Sequence, residues 1–134
     1  MSLEKSIGYK QVIKWLRTNK RKPFTFQKEA WQYYAEGYCG LVNAPTGFGK
    51  TYSIFLAAVI DELNQRAENI KLKVKPDKRK KSGLKLLWIT PLRSLAKDLA
   101  RAMREVCLEL ELDWQIGIRN GDTSTNDKLK QKKL

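Results

Sequence analysis

The chain has 134 residues, of which 42% are apolar and 31% charged. That length and balance fit about one globular domain and exclude a wholly disordered tail, a collagen-like repeat and a disulfide-stapled miniprotein. Twenty-seven lysines and arginines against fourteen acids leave a net charge of +13, which points to a polyanionic partner, nucleic acid above all. More than half of that charge is local. Between Lys71 and Lys85 lie eight basic residues and one acid, or +7, so a solvated lysine-rich loop gives much of the total without any binding role. No histidine is present, which removes histidine acid–base chemistry, a Ser-His-Asp triad and a histidine-ligated metal from this chain. Cys39 and Cys107 are far apart and in no C-x-x-C pairing, so a reducing intracellular setting is expected. No run approaches the ~18 apolar residues of a membrane span. Basic residues stud the first thirty positions, where a signal peptide carries its apolar stretch.

In chain order, apolar spacing predicts an amphipathic helix over residues 3–18, with Tyr9, Val12, Ile13 and Leu16 on one face. A basic turn from Asn19 to Pro23 ends it. A second helix is expected over residues 26–36, with Thr25 as N-cap and Gly37 just past its end. Residues 38–43 read as a short apolar strand running into a glycine-containing turn, and a long helix follows from Gly49 to about Asn69. Residues 70–83 form a charged loop with Pro76 and Gly83. A dense apolar strand over 84–90 (Leu86, Leu87, Trp88, Ile89) is broken by Pro91. The next helix, over 93–110, carries the stripe Leu95, Leu99, Met103, Val106 and Leu110. Residues 114–119 are a third strand, 120–123 a turn, and Ser124 or Thr125 caps a final basic helix. Strands alternating with long helices predict parallel βαβ units, hence an α/β fold with a sheet flanked by helices. Two divisions follow: N-terminal helices over 1–37, and an α/β domain over 38–134 that holds the basic loop at 70–83.

The most informative segment is Ala44-Pro45-Thr46-Gly47-Phe48-Gly49-Lys50-Thr51, which follows a predicted strand and opens a predicted helix. Gly47 and Gly49 allow backbone angles that turn successive N–H groups inward as an anion-binding nest. The helix start adds unpaired N–H donors and a positive dipole end. Thr46, Gly47, Phe48 and Gly49 then cradle phosphate, Lys50 reaches the β- and γ-phosphates, and the Thr51 hydroxyl ligates Mg²⁺. Ala44 stands where the strict G-x-x-x-x-G-K-[ST] pattern has its first glycine. The reading is a P-loop that binds a nucleotide with Mg²⁺, and the motif alone leaves open which kind of P-loop protein this is.

This segment resembles motif I of superfamily 2 helicases, which commonly tolerate alanine in that first place. Three further stretches resemble other motifs of the same family, in the same order. Pro23-Phe24-Thr25-Phe26-Gln27 is similar to the adenine-reading Q motif, and Thr90-Pro91-Leu92-Arg93-Ser94-Leu95-Ala96 to motif Ia. Asn120-Gly121-Asp122-Thr123-Ser124 is similar to the Gly-Asp-Thr motif of Lhr-type (large helicase-related) enzymes. The set is closest to bacterial ligase-associated DExH-box DNA helicases and covers the chain from about Trp15 to Gln131. The resemblance implies a P-loop NTPase fold with a RecA-like parallel sheet, of which this chain would be the N-terminal part and so incomplete at its C-terminus. It also implies ATP-dependent translocation on DNA in the parent enzyme, in repair beside a DNA ligase, in the cytoplasm near the nucleoid.

Each implied role has a physical reading. The Gln27 amide both donates and accepts, as an adenine edge requires, though a surface glutamine near a helix start explains it too. Phe24 stacks on the adenine or fills space under the first helix. Thr90, Pro91 and Arg93 mark a strand end opening a helix, suited to a nucleic-acid backbone. Plain strand-to-helix turn chemistry reads the same way. Gly121, Asp122 and Thr123 are implied to touch the backbone as well; as bare sequence they show a turn.

A motor of this family also needs an apolar strand ending in Asp-Glu, and without histidine a DExH box is excluded here. Asp61-Glu62 lies about three turns into the helix after Lys50 and reads as solvated helix face. Residues 108–113 mimic an apolar strand ending in acid but continue the helical stripe. The expectation is therefore a chain that binds Mg-ATP without turnover, with the remainder of the helicase as its partner. Two rivals stand beside it: a free-standing basic nucleic-acid-binding module with a vestigial P-loop, and a small P-loop kinase, which leaves motif Ia and Gly-Asp-Thr unexplained.

Overall fold

The computed structural model describes residues 2–45, 49–75 and 83–132. The chain divides into two compact units, Met1–Lys75 and Pro76–Leu134.

In the first unit a short 3-10 turn (Leu3–Lys5) leads into α1 (Ile7–Thr18), followed by α2 (Thr25–Ala35) and α3 (Lys50–Lys71). The single helix expected over 3–18 is thus split at Ser6, whose hydroxyl accepts the Tyr9 N–H and caps α1. Helix α3 packs against both α1 and α2. The core is Val12, Trp15 and Leu16 of α1, Trp31 of α2 and Phe55, Leu56, Val59, Ile60 and Leu63 of α3. Helix α1 approaches α3 closely because its second residue is Gly8. The Gly8 N–H donates to Asn64 Oδ1 at 2.7 Å. A Cβ there would meet the Ile60 carbonyl oxygen and lie 2.8 Å from Asn64 Oδ1.

Three helices end in the same hydrogen-bonded pattern, in which a left-handed residue lets two N–H groups reach back to the last turn. After α2 it is Gly37 at φ +82°, as expected from sequence. After α1 and α3 it is Lys20 and Lys73, at φ +55° and +52°. The loop expected from residue 70 therefore begins after Lys71.

The second unit holds α4 (Arg93–Glu109) and α5 (Thr125–Lys132). Helix α4 buries Ala100, Met103, Val106 and Cys107, and Glu111 at φ +55° closes it in the same way. The Ser124 hydroxyl accepts the Asp127 N–H at 3.1 Å, which caps α5 as expected.

The expected parallel sheet is the main correction. Among the described residues no strand is formed, and residues 38–43, 84–90 and 114–119 are neither helix nor ladder. Over 84–90 and 114–119 the side chains still show the two-residue period of a pleated strand. Leu86, Trp88 and Thr90 are half-buried while Leu87 and Ile89 are exposed, and Ile116 and Ile118 alternate with exposed Gln115, Gly117 and Arg119. A strand exists only when its N–H and C=O groups meet those of a neighbour. Here side chains take that place. The Ile116 carbonyl accepts from Arg104 at 2.8 Å, and the Ile118 carbonyl from Gln131 at 3.1 Å. Leu84 and Ile89 stay 79% and 85% exposed, apolar side chains that a neighbouring strand or helix would cover, and in the first unit Leu41 is 92% exposed. Among the described residues no helix is long and apolar enough to cross a membrane.

The Gly8 contact yields a sign test. Alanine is favoured over glycine within a helix by about 1 kcal/mol, yet G8A should destabilise the chain by roughly 1–3 kcal/mol through overpacking against α3. Urea unfolding followed by circular dichroism measures the difference.

Candidate functional site

Of the predicted phosphate-binding residues, Gly49, Lys50 and Thr51 stand at the head of α3. Gly49 is its N-cap, left-handed at φ +77° and ψ +37°, a conformation that glycine adopts without strain. No side chain caps this end of the helix. Its first-turn N–H groups are therefore free of side-chain competition for an anion, at the positive end of a 22-residue helix. The Lys50 ammonium folds back to donate to the Ala44 carbonyl at 2.6 Å, which uses one of its three donors among the described residues. Thr51 is half-buried beside it. Thr46, Gly47 and Phe48 lie outside the described residues.

Gln27 joins this end of α3 to α2. Its Oε1 accepts the Phe24 N–H at 2.9 Å, and its Nε2 donates to the Gly49 carbonyl at 2.9 Å. The two partners fix the amide orientation, since an N–H needs an acceptor and a carbonyl a donor. The side chain is only 5% exposed. A Cβ on Gly49 would fall 2.7 Å from Gln27 Nε2, so glycine is required there twice over, by angle and by approach. The Gln27–Phe24 bond is half of a capping box, because a phenylalanine side chain offers no acceptor in return. Phe24, not Thr25, is the N-cap, and α2 begins one residue earlier than its sequence suggests. The Phe24 ring is 45% exposed and stacks on Phe26, with centroids 5.8 Å apart.

Sequence reasoning missed the rest of this clamp. Trp31 lies one turn after Gln27 on the same face of α2, and its indole N–H donates to the Tyr52 carbonyl at 3.1 Å. Arg21 donates to the Tyr52 hydroxyl at 3.1 Å and lies 5.4 Å from the ring centroid. Trp15 packs edge-on against the same ring. The only available signal was the i, i+4 spacing of Gln27 and Trp31.

Asp61 and Glu62 sit about 16 Å along the axis from the head of α3, taking 1.5 Å per residue. Gln65 donates to exposed Asp61, whereas Glu62 pairs with Arg66 at 3.0 Å and its side chain is only 13% exposed, so the solvated face expected of both holds for Asp61 alone. Burial, and then the Asp61 carboxylate, push the Tyr34 phenol above its ordinary value. Among the described residues there is no cluster of three or more metal-ligating side chains.

In the second unit, three of the six residues expected to meet nucleic acid, Arg93, Asp122 and Thr123, line one cleft of about 810 Å³, whereas Thr90, Pro91 and Gly121 do not. Arg93, the first residue of α4, forms an ion pair with Asp122 on an exposed surface. A Cβ on Gly121 would lie 3.2 Å from the same guanidinium. Asn120 Oδ1 accepts the Asp122 N–H, and Thr123 Oγ1 accepts the Asn120 N–H, both at 2.9 Å, so the Gly-Asp-Thr turn is internally braced. Lys97, Lys130 and Gln131, not anticipated, also line the cleft. The Thr90 hydroxyl is buried without a hydrogen-bond partner, and Pro91 forms an exposed bend.

With that geometry in hand, comparison with known proteins is informative. Residues 24–134 match the DEAD/DEAH box helicase family model. A Lhr helicase/probable uracil glycosylase of Mycolicibacterium smegmatis is 32% identical over 85% of this chain, and a Lhr helicase/uracil glycosylase of Escherichia coli is 30% identical over 87%. An ATP-dependent helicase Lhr-Core of Saccharolobus solfataricus is 34% identical over 91%. The chain spans 8% of the first two relatives and 14% of the third. No solved structure gives a significant match. The family match begins at Phe24, the residue whose N–H Gln27 holds, and takes in the whole of α3 and the Arg93–Asp122 cleft: the chain belongs to the DEAD/DEAH box helicases.

Proposed function

We propose that the chain is the ATP-binding front of the first RecA-like domain of an ATP-dependent DNA helicase, binding Mg-ATP at the head of α3 without completing hydrolysis by itself. One observation carries this reading: a helix start without a side-chain cap, a left-handed Gly49 and a lysine bonded back to the Ala44 carbonyl meet at one place. Lys50 holds a phosphate oxygen with its remaining donors, and Thr51 offers a hydroxyl to the metal. Gln27 keeps Gly49 in position, and the second hydrogen and second lone pair of its amide remain for an adenine edge. Bound ATP and Mg²⁺ would supply the phosphoanhydride and the countercharge. A DNA strand would lie along the cleft of the second unit, with Arg93 on a phosphate and Asp122 orienting Arg93, since a carboxylate repels phosphate. Thr90, Pro91, Gly121 and Thr123 shape that turn. Two relatives are named for a uracil glycosylase as well as a helicase, which favours a repair setting, with a DNA ligase or other repair proteins nearby and an intracellular, nucleoid-associated location. The net charge of +13 keeps one alternative in view, a basic nucleic-acid-binding module with a vestigial P-loop.

Isothermal titration separates the two. Mg-ATP should bind the wild-type chain, and K50A should weaken binding by roughly ten- to a hundredfold, the worth of a charge-assisted hydrogen bond. DNA binding indifferent to nucleotide, with no Mg-ATP heat, supports the basic module instead. Multiple turnovers of ATP by the purified chain contradict the proposal. Q27E should behave differently from K50A. It retains an acceptor for Phe24 but cannot donate to Gly49, so it should lower stability by about 1–3 kcal/mol and weaken Mg-ATP binding together. At the second cleft, R93Q should reduce the salt slope of single-stranded DNA binding by about 0.7, one phosphate's share. D122N should leave the slope unchanged or raise it.

A further inference from the structure

The longest uninterrupted positive stretch on the described surface belongs to neither site. Between Lys5 and Lys28 there are eight basic residues and no acid. Helix α1 sorts this charge. Its inner face is Gly8, Tyr9, Val12, Trp15 and Leu16, all buried, while Lys10, Lys14 and Arg17 are exposed at i, i+4 and i+7. Taking 1.5 Å per residue, they are spaced about 6 and 4.5 Å along the axis. The turn after α1 extends the row with exposed Lys20 and Lys22. That turn is held in place: Lys20 and Arg21 donate their N–H groups to the Arg17 and Leu16 carbonyls at 2.9 and 2.8 Å. The Arg21 side chain is spent on Tyr52 and is not part of the row. Lys10, Lys14 and Arg17 flank a shallow groove of about 290 Å³ with Tyr9 and Ile13 in its floor and Glu4 at one end.

We propose that this outward face of α1, with the turn that follows it, is a second contact for a nucleic-acid backbone, separate from the Arg93 cleft. The inference rests on the reading of the chain as part of a nucleic-acid motor. It adds where on the N-terminal helices the strand is held. Charge complementarity selects the partner. A row of long cations at several-ångström intervals, without intervening carboxylates, matches the regular charge of a sugar–phosphate chain and carries no base-reading geometry. Burial, and then Glu4, push the Tyr9 phenol above its ordinary value, so the groove floor stays neutral.

The test is anisotropy of a fluorescent single-stranded oligonucleotide against salt, on the 134-residue chain without nucleotide. The triple variant K10Q/K14Q/R17Q lies wholly on the exposed face and keeps good helix formers, so unchanged circular dichroism is expected. Its slope of log affinity against log salt should fall by about 2, from three phosphates at about 0.7 each. K10R/K14R should keep the wild-type slope. K71Q/K73Q/K75Q, which removes the same charge from another exposed segment, should change it less. An unchanged slope in the α1 triple overturns the proposal, as does an equal fall in both triples or displacement of DNA by poly-glutamate at matched charge. Mg-ATP titration of the same α1 triple should match wild type. That keeps a failure here distinct from a failure of the phosphate site, which K50A reports.

Discussion

The fold's central constraint is one amide. Gln27 stands between two backbone groups that belong to different elements, the N–H that opens α2 and the carbonyl that precedes α3. Because the side chain is buried, neither bond is readily replaced by water, and losing either partner leaves a polar group unsatisfied. Trp31 repeats the arrangement one turn along α2 by holding the Tyr52 carbonyl. Together they fix where the head of α3 stands before any ligand arrives. A phosphate site made of backbone N–H groups depends on such fixing, since main-chain dipoles attract an anion only when they point the same way. The resemblance to an adenine-reading motif and the observed bracing role are compatible, because an amide offers four hydrogen-bonding positions and two are used.

The second unit shows what helices do when ladder partners are missing. Apolar segments keep a pleated alternation of exposure, yet their carbonyls are met by Arg104, Gln131 and Thr123 side chains. Helix α4 is amphipathic and buries its stripe without needing a sheet. The family is one of P-loop RecA-like proteins, whose parallel sheets are covered on both faces. In this unit Leu84 and Ile89 are exposed apolar side chains of the kind such a sheet buries.

Much of this was legible in the amino-acid order. Helices α2, α3 and α4 fall within a residue or two of their expected limits, because apolar spacing and Gly37 mark them, and α5 starts at its expected cap, Ser124. Gly-Lys-Thr marks the start of α3 as a local pattern, whereas the bond from Lys50 to the Ala44 carbonyl is not announced by it. What escaped notice depended on contacts distant in sequence. Gly8 looks like a helix weakener until Ile60 is seen against it. The helix ends at Lys20, Lys73 and Glu111 carry no glycine to announce them. Trp31 reads as core, and only its indole N–H shows the second task. The sheet was overread because strand propensity is a local property and strand pairing is not. The Arg93–Asp122 ion pair joins two motifs 29 residues apart, which local spacing does not announce.

The most direct measurement is an NMR titration of the folded chain with Mg-ATP, following the Gly49, Lys50 and Thr51 amides and the Gln27 side-chain amide. The account predicts that all four signals move together and saturate at one concentration. Saturating Mg-ATP that leaves the Gly49 and Lys50 amides in place would contradict it.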